Sequence, residues 1–126
     1  MLAQYAHAYP PMLVIRREQW EAFERAARAA LERRLHRELR GTPDAPADAA
    51  LAALITAAVD HAAALGIDTP LETRRYVVLA LRFGADLADN PAAPWIGEVL
   101  RDSSMPAADR LALVADMAAA NAVLRR

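Results

Sequence analysis

The chain has 126 residues, 56% of them hydrophobic, and a formal net charge of −1, a single-domain length with room for a core and no global field for nucleic acid. It holds no cysteine, which removes disulfides, thiolate metal sites and cysteine nucleophiles together. Roughly a quarter of the residues are alanine and every basic residue is arginine, so the composition favours helices packed closely through small side chains.

Residues 1–15 read as a tail or extended lead-in, with Pro10-Pro11 followed by Met12-Leu13-Val14-Ile15. Met12 is an alternative start, and the segment lacks the basic n-region and long apolar h-region of a signal peptide. Residues 16–126 read as one helical domain. Its first helix is expected from about Arg17 to Arg40, with Trp20, Phe23, Ala27, Ala30/Leu31, Leu35 and Leu39 forming one buried apolar stripe. Glu21/Arg25 and Glu24/Arg28 are i,i+4 pairs on its wet side. Gly41-Thr42-Pro43 stops it.

The second helix starts near Ala47 or Asp48 and buries Leu51, Leu54/Ile55, Ala58/Val59 and Ala62. Leu65-Gly66-Ile67 then reads as a glycine C-cap followed by an apolar residue folding back on the last turn. The third helix has the clearest start, with Thr69 as N-cap, Pro70 in the first position and Glu72 completing a capping box. Between Tyr76 and Phe83 only Arg82 is charged, which predicts a central helix buried on most sides. A short fourth helix opens at Pro94, with Trp95, Ile96, Val99 and Leu100 inward. Ser103-Ser104 read as caps for a fifth helix over Ala107 to Leu124, which turns Leu111, Val114, Met117/Ala118 and Leu124 inward. No strand pattern or fixed-period repeat is present. The expected fold is an all-α, single-domain bundle of about five helices.

Residues that could carry chemistry are few. His7, His36 and His61 are scattered without ligand spacing, so no zinc site is expected. Asp86, Asp89 and Asn90 cluster off a regular helix. Capping is the preferred reading, with an oxygen-ligand metal site or a partner contact as alternatives. Trp95 and Trp20 each read as a core anchor, or else as an exposed hot spot. No serine sits in a nucleophile elbow, and no glycine-rich phosphate loop occurs. Catalytic residues, cofactors and a resident metal are therefore not expected, and the chain reads as non-enzymatic. The longest apolar run, from Ala49 to Val59, is broken by Thr56 and falls far short of the roughly 20 residues needed to span a membrane.

Residues 1–41 carry eight Arg and five Glu, while residues 42–126 carry seven Arg and eleven acids. Arg33 and Arg37 belong to the basic end and raise nucleic-acid binding as an alternative. The glutamates interleaved along the same helix argue against a one-sided basic stripe.

The segment from Met12 to about Ala118 resembles a family of small all-helical proteins from bacterial type VI secretion and polymorphic-toxin gene neighbourhoods. The resemblance rests on Leu13-Val14-Ile15, Leu65-Gly66-Ile67, Arg75-Tyr76, Phe83-Gly84-Ala85-Asp86, Pro91, Pro94-Trp95 and Leu100-Arg101-Asp102. The loop Leu87-Ala88-Asp89-Asn90 departs from the family, which is richer in aspartate there and carries a second aromatic. The resemblance implies a cytoplasmic bacterial accessory protein, an adaptor or chaperone-like partner of a secreted effector or toxin. The alternatives are a cognate immunity protein and, in a different class, a small nucleic-acid-binding protein. The expected partner is a protein, with a homo-oligomer allowed and no membrane contact. Phe83, Asp86, Asp89, Pro94, Trp95, Arg33 and Arg37 are the candidate partner-binding residues.

Overall fold

A computed structural model describes residues 16–124, with side chains described through Asn121. His7, the alternative start at Met12 and the tail over residues 1–15 lie outside the described residues. Among the described residues five α-helices follow one another: α1 (Arg17–Leu39), α2 (Asp48–Ala64), α3 (Pro70–Phe83), α4 (Pro94–Leu100) and α5 (Ala107–Leu124). A single 3-10 turn, Leu87–Asp89, lies between α3 and α4. Among the described residues there is no strand, and the fold is the expected all-α bundle. No helix of the described residues is long and apolar enough to cross a membrane. The chain divides into two compact units, Met1–Leu31 and Glu32–Arg126.

In the first unit, the N-terminal half of α1 overturns an expectation. Trp20 is 49% and Phe23 is 66% exposed, and Ala27 and Ala30 are exposed as well. Helical periodicity correctly groups these side chains on one face, but periodicity says nothing about what covers that face.

In the second unit, α2 packs against α3, α3 against α5, and α4 against α5 and the 3-10 turn. Leu35 and Leu39 supply the buried end of α1, while Leu51, Ile55, Ala58, Val59 and Ala62 supply the α2 face read from the sequence. Small residues recur where helices meet: Ala58, Ala62, Ala80 and Ala118 are all buried, so backbones approach closely and dispersion contacts are dense. Ion pairs dress the rim, Arg74 with Glu38 at 2.9 Å and Arg40 with Asp48 at 3.6 Å. Both are exposed and worth little individually.

The α2–α3 corner closes as the sequence indicates. Gly66 has φ 79°, its N–H donates to Ala63 O at 3.0 Å and the Ile67 N–H donates to Ala62 O at 2.9 Å. That double bond pattern is a Schellman cap, and buried Ile67 is its apolar clasp. Thr69 Oγ1 then accepts from the Glu72 N–H at 3.2 Å, with Pro70 leading the helix.

Helix α3 is less buried than its composition predicts. Tyr76, Val77 and Ala80 face the core, whereas Val78 is 41% and Leu71 is 58% exposed. Val78 stands one helical turn from both Arg74 and Arg82, on the same row of the helix, and those two guanidiniums hold that row in water. In α4 only Ile96, Gly97 and Leu100 are buried, and Trp95 and Val99 are half-exposed. Leu111, Val114 and Ala118 are buried along α5, while the Leu124 side chain lies outside those described. Ser103 and Ser104 do not cap α5, which begins at Ala107. Ser104 instead donates its N–H to Asp102 Oδ1 at 3.0 Å and its hydroxyl to the same oxygen. These two bonds hold the Asp102 carboxyl below its ordinary range and build a turn rather than a cap.

Arg110 of α5 is the only buried charged residue among those described, at 9% exposure. Its Nη1 donates to Leu65 O at 3.1 Å and to Leu100 O at 2.7 Å. One guanidinium thereby satisfies orphan carbonyls at the C-terminal ends of both α2 and α4. Replacing Arg110 with Met is expected to lower the unfolding free energy by about 2–4 kcal/mol, because two partly buried carbonyls lose their donor. Arg110→Lys should recover at most part of it, since an ammonium can donate to two carbonyls but is more strongly hydrated than a guanidinium and costs more to bury. Urea melts of the three proteins check this.

A tighter constraint holds α4 against the 3-10 turn. A Cβ on Gly97 would land on the Ala88 carbonyl oxygen and on Arg101 Nη1, so no side chain fits between these backbones. Gly97→Ala is expected to cost about 1–3 kcal/mol through overpacking, against the usual gain for Gly→Ala within a helix. The sign of the change in midpoint decides it.

Candidate functional site

The C-terminal end of α3 and the loop that follows form a frame with three fasteners. Gly84 ends the helix at φ 96°, where other residues are strained. Asn90 reaches back to donate from Nδ2 to Phe83 O at 3.1 Å, and its Oδ1 accepts from the Ala92 N–H at 2.9 Å. Arg101 on the far side donates to Ala88 O at 3.0 Å and pairs with Asp89. Leu87, fully buried, pins the 3-10 turn from beneath.

This frame brings Phe83 and Trp95 to one pocket of about 290 Å³, completed by Arg82, Ala92, Ala93, Ala118 and Asn121. The Arg82 guanidinium carbon lies 5.4 Å from the centre of the Phe83 ring, a cation–π distance. The pocket thus has aromatic and alanine walls, with an arginine and an asparagine as its polar groups. That chemistry accepts an apolar side chain with an acceptor beside it.

Of the sequence candidates, Phe83 and Trp95 meet in this pocket. Asp89 is committed to Arg101, so its role is to fasten the turn, not to cap a helix. Asp86 is exposed and makes no side-chain cap bond. Asn90 closes the end of α3 through Phe83 O and turns the loop through the Ala92 N–H. No side chain caps α4, so none of the three caps the following helix as expected. Pro94 is exposed and starts α4 without facing the pocket lining. Arg33 borders a separate depression of about 230 Å³ with Glu32, His36, Ala52, Ile55 and Thr56, and Arg37 is simply exposed. Among the described residues no three acids or histidines converge as a metal site would require.

A further groove of about 340 Å³ between α3 and α5 went unread in the sequence; Arg74, Arg75, Val78, Leu79, Leu111, Ala112 and Ala115 line it. Its sequence signal was the four-residue step Arg74, Val78, Arg82, which marks an outward row inside an apparently buried run.

Beneath the frame sits Tyr76, fully buried, whose hydroxyl has no hydrogen-bond partner among the described residues. Burial first, then the charges of Asp86 and Asp89, push its pKa from 10.0 up to about 12, with Arg101 opposing. Unfolding frees the phenol to ionise at its ordinary value, so the unfolded chain releases its proton first as pH rises. The associated stability is complete below pH 10.0 and is lost as pH rises towards about 12. Tyr76→Phe is expected to flatten this alkaline loss. At neutral pH it should leave the melting temperature unchanged or raise it, since no hydrogen bond disappears. Thermal melts of both proteins across the alkaline range are the check.

Compared with protein-family models, curated proteins and solved structures, the chain matches none.

Proposed function

We propose that the protein is a non-enzymatic accessory protein, an adaptor or chaperone-like partner for a secreted bacterial effector or toxin, acting in the cytoplasm. The observation that carries the binding part of this reading concerns the largest apolar side chains. The chain has two Trp and two Phe, and none of the four is buried: Trp20 and Phe23 are exposed, Phe83 and Trp95 half-exposed. A monomer under selection for stability alone places such rings in its core, where each contributes most. Aromatic residues left at the surface with arginine beside them have the composition of binding hot spots.

The Phe83–Trp95 pocket is the best-formed of these surfaces, because hydrogen bonds from Asn90 and Arg101 fix the backbone that carries it. A rigid pocket loses little entropy when it receives a partner's side chain. The type VI part of the proposal rests on the sequence resemblance, whose segments include Phe83-Gly84-Ala85-Asp86 and Pro94-Trp95, the two that supply the aromatic walls.

Co-expression with the products of neighbouring effector or toxin genes tests the proposal, read by co-elution and titration calorimetry. One of those proteins is expected to bind with affinity retained at physiological salt. Trp95→Ala should weaken binding about tenfold or more. Arg82→Glu, which alters only the pocket rim, should weaken it while leaving the melting temperature within a few degrees. Absence of a complex with every neighbouring product would overturn the reading, as would a complex indifferent to both substitutions.

A further inference from the structure

The exposed face of α1 carries a pattern that selects its own partner. Trp20 and Phe23 stack with ring centres 6.0 Å apart and planes 24° from parallel, giving one contiguous aromatic patch. One and two turns further on, the same face presents Ala27 and Ala30, both exposed. Two large residues followed by two small ones, at steps of three, four and three, form a short heptad seam.

We infer that this face docks on a second copy of the chain, with the two α1 helices antiparallel. In that arrangement Trp20 of each copy lies opposite Ala30 of the other, and Phe23 opposite Ala27. Both pairs are centred on Arg25, so one register satisfies both and every layer matches a large side chain with a small one. A parallel pair would set Trp20 against Trp20 and leave alanine facing alanine across a gap.

Charge points the same way. Within the seam, Glu21 and Glu24 occupy the first half and Arg25 and Arg28 the second, with Arg17 pairing Glu21 at 3.9 Å just before it. Antiparallel pairing brings the acidic half of one copy beside the basic half of the other, and opposes the two helix dipoles. Parallel pairing would line acids against acids.

The full chain, which has no native cysteine, allows a direct test. Sedimentation velocity at increasing micromolar concentration should show a reversible monomer–dimer equilibrium. Trp20→Glu with Phe23→Glu should move that equilibrium to at least about tenfold higher concentration. Because both rings are exposed, the circular dichroism of the variant should match the parent. Orientation is read separately with single cysteines and a short bismaleimide. Ala26→Cys lies beside the axis and should join two copies efficiently. Ala30→Cys should not, because its two copies are separated by roughly 15 Å along the helices in this register. A monomer at all concentrations overturns the inference, as does a dimer unchanged by the double substitution. Crosslinking through Ala30→Cys but not Ala26→Cys would replace the antiparallel pair with a parallel one and overturn the register. Trp95→Ala is expected to leave the dimer intact, so this result and the effector-binding result stand or fall separately.

Discussion

The Arg110 guanidinium holds the Glu32–Arg126 unit together at the point where helix ends would otherwise be its weakness. Four helices and the end of α1 bring many chain ends close to the core of this unit, and each C-terminal end leaves carbonyls without intrahelical donors. The Gly66 and Ile67 N–H groups close α2, but Leu65 O and Leu100 O still need a donor. Arg110 reaches both from α5, which couples α2, α4 and α5 through one side chain. A buried charge is costly on its own account, and an arginine tolerates the site because its positive charge is spread over a planar fork. A hydrophobic replacement of similar volume would remove the charge yet leave both carbonyls unsatisfied, so the arginine is kept for its donors.

Close backbone approach is the second constraint, and it places the aromatic pocket. The Gly97 backbone lies against Ala88 O, so α4 rests directly on the 3-10 turn. Arg101 then spans the same contact from the side. With the turn fixed at both ends, Trp95 projects from the first turn of α4 and Phe83 from the last turn of α3 into one space. Tyr76 fills the volume below but its hydroxyl finds no partner among the described residues, an imperfect fit under the loop that carries the Phe83–Trp95 pocket. Local misfits of this kind belong at functional places, where geometry is set by something other than stability.

Much of the fold was legible from residues 17–124. Turn chemistry carried it: Thr69-Pro70 and Leu65-Gly66-Ile67 mark their helix ends through local backbone demands that no tertiary contact needs to confirm. Helix α5 ran over its expected residues because Leu111, Val114 and Ala118 keep one spacing. Failures had a common physical origin in tertiary context. Periodicity put Trp20 and Phe23 on the face that buries Leu35 and Leu39, yet burial depends on a neighbour that periodicity cannot supply. Val78 sat in an apolar run, and only its place between Arg74 and Arg82 disclosed the open side. Arg110 was invisible because an arginine in a helix ordinarily reads as solvated, and nothing local marks one that caps two other helices. Of the candidate site, Phe83 and Trp95 were found, while the α3–α5 groove was missed for the same reason as Val78.

The alanine content links these observations. Ala58, Ala62, Ala80 and Ala118 are buried on α2, α3 and α5, and an indole in place of any of them would overpack the core. Tyr76 is the single large ring the unit buries. The buried apolar set is Leu, Ile, Val and Ala with Tyr76 as its one ring, so the tryptophans and phenylalanines stand at the periphery, where their area is recovered only by contact with another surface. The all-arginine basic set suits that outcome. Guanidinium groups stack on rings and bond carboxylates without the strong hydration of an ammonium, as Arg82 does beside Phe83. The same compositional choice that makes the bundle compact thus leaves it with aromatic surfaces rimmed by arginine, and the effector-binding reading and the α1 pairing draw on different members of that set.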